Sequence, residues 1–239
     1  MLIVFPCCKT LCVTLLLFCT GYSFAEPLRI AAAANFSPVL NALQSDYQHS
    51  CTAPWQISSA SSGQLHAQIQ QGAPFAVFLA ADEKSVDALP SSYKKATRIY
   101  ALGKLALWFK NQHAEKVSWQ NGELQLALAN PVTAPYGQAA LQYLSSRHLD
   151  NIHYVRANNI QQAYVLIDQG AVAGGFVALS ALIMQQRPVQ EYITLEGSAE
   201  LRQKAVLLVD NAASRCFWNW LYNPLTQQRI ADFGYGTLP

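Results

Sequence analysis

Ser58-Ser59-Ala60-Ser61-Ser62-Gly63, with Gln64 to Gln71 behind it, carries no charge, follows the strand-like Trp55-Gln56-Ile57, and opens a run in which Leu65, Ile69 and Ala73 recur at helical spacing. The first turn of a helix leaves N–H groups unpaired and carries partial positive charge, so hydroxyls and bare backbone placed there can surround an anion. Taken alone, an ordinary serine cap explains the stretch more simply. Repetition along the chain changes that balance.

On the N-terminal side, Leu28 to Ala34 reads as a short buried strand. Asn35-Phe36-Ser37-Pro38 follows it, ahead of a helical run through Val39, Leu40, Leu43 and Tyr47. Pro38 suits a first turn, with Asn35 or Ser37 as the cap. On the other side Gly72-Ala73-Pro74 breaks the helix, Phe75 to Ala80 is a continuous apolar strand, and Asp82 caps a helix through Val86 and Leu89. After a polar break from Leu89 to Thr97, Tyr100 to Phe109 is a long strand suited to linking two lobes. The strand Leu124 to Ala129 then runs through Asn130-Pro131 and Ala134-Pro135-Tyr136-Gly137 into a helix from Gln138. Val155 to Ile160 leads into another helix, Gln161 to Gln169, ended by Gly170. Gly174-Gly175, inside a further strand, suits close backbone approach. Leu201 to Val209 returns as a strand, and Arg215 to Leu221 begins a final helix.

Alternating strands and helices predict an α/β architecture with mainly parallel sheets, in which ligands collect at the carboxyl ends of the strands and, with two sheets, in the cleft between them. Uncharged helix starts follow strands near Asn35, Ser62, Tyr136 and Ile160. Neutral donors suit a fully ionised oxyanion, and the absence of a carboxylate acceptor disfavours a protonated one.

The chain has 239 residues, 51% of them hydrophobic and 13% charged, with 16 Lys and Arg against 14 Asp and Glu. That balance, without basic runs, excludes nucleic acid as the main partner. Met1 to Ala25 has the form of a cleaved signal peptide: Lys9 as its only cation, an apolar run from Leu11 to Cys19, and Ser23-Phe24-Ala25 before the cut. The expected location is therefore periplasmic. The leader takes four of the six cysteines, leaving Cys51 and Cys216, which are either a disulfide or two buried small apolar residues.

Catalytic signatures are scarce: there is no Gly-x-Ser-x-Gly elbow, no Walker loop, no Gly-x-Gly-x-x-Gly and no His-Glu-x-x-His. Ser91 and Lys94 match Ser-x-x-Lys in a polar turn that lacks the companion motifs. The five histidines lack ligand spacing. The chain reads as neither an enzyme nor a metal or cofactor protein.

Ala33-Ala34-Asn35-Phe36, Ser58 to Gly63, Gly72-Ala73-Pro74-Phe75 with Leu79 to Lys84, Asn130-Pro131 to Gly137, and Gly175 to Leu179 together resemble the periplasmic molybdate-binding proteins of ABC importers, in one order over nearly the whole mature chain. The resemblance implies a two-lobed type II periplasmic binding protein, monomeric, that carries molybdate or tungstate to a membrane permease. It places the ligand against Asn35, Ser62, Tyr136 and Ile160: backbone N–H and side-chain donors from the first two, backbone N–H groups from the others. Ala34 stands where some relatives carry a hydroxyl, so that only its N–H could contribute. Ala178 stands where others carry a tyrosine. The expected division is lobe I over 26–102 and 206–239, with lobe II over 103–205. Rival readings are a receptor for sulfate or another small anion, an anion-sensing adaptor, and a secreted hydrolase using Ser91 and Lys94.

Overall fold

The computed structural model describes residues 26–196 and 201–238; the leader expected over residues 1–25 lies outside them. The chain builds β1 (Leu28–Ala33), α1 (Ser37–Ala42), α2 (Gln44–Ser50), β2 (Trp55–Ala60), α3 (Ser62–Gln70), β3 (Val77–Leu79), α4 (Lys84–Asp87) and β4 (Ala96–Gly103). It then adds β5 (Leu105–Trp108), β6 (Gln125–Ala129), α5 (Pro135–Ser146), β7 (His153–Ala157), α6 (Ile160–Asp168), β8 (Gly174–Ala178), α7 (Leu179–Met184) and β9 (Tyr192–Thr194). It closes with β10 (Leu201–Leu207), α8 (Ala212–Leu221) and α9 (Pro224–Asp232).

The strands form two five-stranded sheets with one plan. The first has the order β2-β1-β3-β10-β4 and the second β7-β6-β8-β5-β9. In each, a parallel trio is followed by one antiparallel strand and then by a strand that restores the first direction. The antiparallel strand is, in both sheets, the one the chain forms on arriving from the other lobe. The long strand expected from Tyr100 to Phe109 accordingly divides at Lys104, with β4 in the first sheet and β5 in the second. All of β10 pairs within the first sheet, from Leu201 opposite Gly103 to Leu207 opposite Val77. The return to lobe I therefore precedes Leu201, ahead of the boundary at 206 expected from the sequence.

Packing follows the strand pattern. The inner parallel strands β1, β3, β6 and β8 are mostly apolar and buried, as strands covered on both faces require, whereas the edge strands β2 and β7 are more polar and partly exposed. Gly174 and Gly175 let β8 lie close to its neighbours: a Cβ on Gly175 would meet the Ala127 carbonyl oxygen at 2.4 Å, and one on Gly174 would meet the Phe109 ring at 2.2 Å. In the first lobe Tyr47 stacks on Trp55 at 4.3 Å, and Phe217 and Trp220 of α8 close the cluster. Beside it, Cys51 and Cys216 form a disulfide with their Cα atoms 5.9 Å apart. The bond joins the first segment of lobe I to its last.

Two helices escape the sequence reading. α7 follows β8 without a break in the apolar run, so nothing marks where strand becomes helix. α9 buries only Thr226 and Ile230 and so shows little periodicity.

Candidate functional site

The parallel strands of both sheets end at the interface of the lobes. β1 delivers Ala33 to Asn35; β2 delivers Ser61 and Ser62; Ala81 follows β3; Ala134 to Tyr136 follow β6; Asn159 and Ile160 follow β7. Together these residues line one small cavity. Asn35, Ser62, Tyr136 and Ile160 all belong to it. Its volume is about 10 Å³ for the centre of a water-sized sphere, room for roughly one water. No charged side chain is among the residues lining it. A hollow of about 660 Å³ opens on the outer face of lobe I, among α2, α8 and α9. It is larger, but it lies away from the strand ends and is lined in part by the charged Asp46 and Arg229.

Those donors have a local cause. Helices α3, α5 and α6 begin at or beside Ser62, Tyr136 and Ile160, where first-turn N–H groups have no intrahelical acceptor. The backbone N–H groups of Asn35, Ser62, Tyr136 and Ile160 have no acceptor among the described residues. Ser61 and Ser62 divide their labour. Ser61 turns its N–H and hydroxyl to Gln64 Oε1, at 3.2 and 2.8 Å. Ser62, fully buried, accepts the Ala81 N–H at 2.8 Å and keeps its own hydrogen to donate. Asn159 Oδ1 caps α6 by accepting from Gln162 N at 3.0 Å, which fixes the turn that presents Ile160.

Other expectations are corrected here. Ala34 N–H donates to the Ala60 carbonyl at 2.9 Å, so the ladder to β2 consumes it and it is not available to a ligand. Ala178 does not line the cavity. Neither Asn35 nor Ser37 caps α1, whose N-cap position is Phe36. Ser58 to Ala60 pair with Ala31 to Ala33 as the end of β2, so α3 starts later than its serine run suggests. The Lys94 ammonium bonds the Asp87 carbonyl at 3.1 Å, on an exposed turn outside the cavity, and Ser91 is exposed on the same turn.

Beneath the cavity lies a buried polar cluster that single-sequence reading misses. Asn35 Nδ2 donates to Gln203 Oε1 and to the Tyr235 hydroxyl, each at 3.0 Å, and lies 3.5 Å from the Tyr136 hydroxyl. The Tyr100 hydroxyl donates to Gln203 Oε1 at 2.8 Å, and Gln203 Nε2 donates to the Tyr136 hydroxyl at 3.1 Å. Ser180 Oγ donates to the Tyr235 hydroxyl at 3.3 Å, which in turn donates to the Asn35 carbonyl at 3.1 Å. Burial raises the phenols of Tyr100 and Tyr136 well above their ordinary value and pushes Tyr235 up to about 12, so all three remain neutral hydroxyls. Phe36 locks two of these rings by edge contacts, 4.7 Å to Tyr100 and 5.6 Å to Tyr235.

The lobes meet directly as well. Gly63 N–H donates to the Thr133 carbonyl across the cleft at 2.9 Å. A Cβ on Gly63 would come within 3.0 Å of that oxygen.

Two α/β lobes closed over a neutral, donor-lined cavity are the hallmark of a receptor that captures a small solute. The chain belongs to the family described as bacterial extracellular solute-binding protein, whose pattern matches residues 28–236. Within it the relatives are specific. The molybdate-binding protein ModA of Azotobacter vinelandii is 31% identical, covering 89% of this chain and 90% of that protein. ModA of Rhodobacter capsulatus is 30% identical, covering 87% of each. The solved structure of the Azotobacter vinelandii periplasmic molybdate-binding protein matches with a TM-score of 0.79 at 30% identity, over 89% of this chain and 99% of that one. The chain is a member of the ModA family.

Proposed function

We propose that this protein captures molybdate, and tungstate of the same tetrahedral form, in the cavity between its lobes, and presents it in the periplasm to the permease of an ABC importer. The observation that carries this reading is the set of unpaired donors. Four N–H groups and the Ser62 hydroxyl, drawn from both lobes, converge with no countercharge and no carboxylate. If each charge-assisted bond contributes about 1.5–3 kcal/mol, the gross gain is on the order of 7–15 kcal/mol. Association costs leave micromolar to nanomolar affinity within reach. The cavity has room for little more than a water, so an oxyanion enters by parting the lobes and is captured as they close again.

No bond in the ligand is made or broken in this scheme. Nothing in the cavity offers a nucleophile paired with a base. Selection rests on size and ionisation, because the donors fit a fully deprotonated oxyanion and no carboxylate lines the cavity to accept a proton from it. The test is calorimetric titration of the leaderless protein with molybdate, tungstate, sulfate and phosphate under one buffer. Tight one-to-one binding of the first two with little heat from the others is expected. Preference for sulfate would move the protein to the rival anion class, and silence with all four would remove the oxyanion reading.

A further inference from the structure

Tyr136 spans the two lobes. Its backbone belongs to the first turn of α5 in lobe II, while its fully buried side chain ends among residues of lobe I, with the hydroxyl 3.1 Å from the Gln203 amide. A phenol both donates and accepts, so this bond stands whichever end of the amide faces it. Two glycines make the span possible. A Cβ on Gly137 would meet the Ala129 carbonyl oxygen at 2.0 Å, so the start of α5 rests directly on the end of β6. A Cβ on Gly103 would meet the Tyr136 phenolic oxygen at 2.4 Å, so the far end of the ring rests directly on the backbone of β4. Neither glycine has a positive φ, and what each supplies is therefore room rather than a special backbone conformation.

Gly103 stands where the chain leaves lobe I. It is the last residue of β4 and pairs with Leu201 at the start of β10; Lys104 beside it separates β4 from β5 of lobe II. The phenol thus bears on the crossing between the lobes. A tyrosine side chain has only two torsions, and one buried on all sides keeps a fixed length. With both ends seated on backbone, the ring sets how far the Tyr136 N–H of lobe II stands from the donors of lobe I.

We propose that Tyr136 is the spacer between the lobes and that Gly103 is its seat, a positioning residue that does not itself line the cavity. The inference rests on the oxyanion reading of the cavity, and it gives size selection a cause. The width open to the anion is held by a rigid ring rather than by a yielding contact.

The experiment is molybdate titration of Gly103→Ala, Tyr136→Phe, Tyr136→Leu and the double variant Gly103→Ala with Tyr136→Phe, each melted thermally to confirm that it is folded. The added methyl pushes the phenol from its seat, so Gly103→Ala should weaken binding by about fivefold to fiftyfold, the range of an overpacking clash. The double variant lacks the oxygen that the methyl meets and should bind more tightly than Gly103→Ala alone. The same methyl crowds the Gln203 amide at 2.5 Å, so the recovery is partial. Tyr136→Phe keeps the ring and should cost less than about fivefold, whereas Tyr136→Leu keeps the backbone N–H without the ring and should cost more than about tenfold. A glycine needed only for packing predicts lower melting points with affinity unmoved, or losses that add in the double variant. Either result would overturn the spacer while wild-type affinity still upheld the binding function. If Gly103→Ala does not fold, the Phe and Leu variants decide between them, and equal affinities for those two would likewise overturn it. A wild-type protein indifferent to molybdate would remove the function and this inference together.

Discussion

In the proposed site, one neighbour makes the Ser62 hydroxyl, on a residue type common at helix caps, a donor for the oxyanion. The Ala81 N–H occupies its oxygen, so its hydrogen points elsewhere, while Ser61 spends its own hydroxyl on Gln64. Ser62→Ala should therefore weaken molybdate binding by about tenfold to a hundredfold, the range of one charge-assisted bond. His66 holds the Ser85 carbonyl through Nδ1 at 2.8 Å, outside the cavity, and His66→Ala should change affinity less than about twofold. Calorimetry of the two variants side by side checks both, and equal affinities would take Ser62 out of the site. At this scale the sequence is half legible. A serine after a strand announces a donor, but the partners that aim Asn35, Gln203 and Tyr235, come from 168 and 200 residues further along. No local pattern links them.

Helix starts are the elements on which the site is built, and the sequence marks them only in part, because first-turn chemistry is local but the exact start is not. Proline stands in the first turn of α1 and α5, and asparagine caps α6. Boundaries are less legible, because pairing decides them: β2 runs on to Ala60 through partners in β1, and α5 begins at Pro135 rather than Gln138. The start of α3 also carries the contact between lobes. Gly63 donates across the cleft to Thr133, and a methyl group there would meet the Thr133 oxygen at 3.0 Å and its Cα at 3.1 Å. Since both neighbours are backbone, they must give by a few tenths of an ångström, which biases the lobes toward parting. Gly63→Ala should thus weaken molybdate binding by about threefold to tenfold without touching the ligand, and small-angle scattering of the ligand-free variant should show a larger radius of gyration. An unchanged radius and affinity would show that the cleft absorbs the methyl without opening.

For the molecule as a whole, alternating strands and helices suffice to predict two α/β lobes, since each parallel strand needs a crossover helix and each sheet needs cover on both faces. The sequence does not show that each sheet borrows its antiparallel strand from the chain's passage between lobes, because neither the apolar β5 nor the mixed β10 carries a mark of its direction. Nor could spacing decide between a disulfide and two buried thiols for Cys51 and Cys216. The bond that forms encloses a loop of 165 residues. In the chain-entropy account, closing a loop of that length stabilises the fold by at most about 5 kcal/mol. It also changes what a protease can do. Everything from β2 to the start of α8, lobe II and the cavity residues from Ser61 to Ile160 included, lies on a covalent ring, so one peptide cut anywhere within it opens the ring without freeing a fragment. A nicked molecule should run as a single species on a denaturing gel until reductant is added and then fall into two, and release of a piece without reductant would show the ring to be open. A chain built this way keeps both halves of its cleft tethered after a first cleavage.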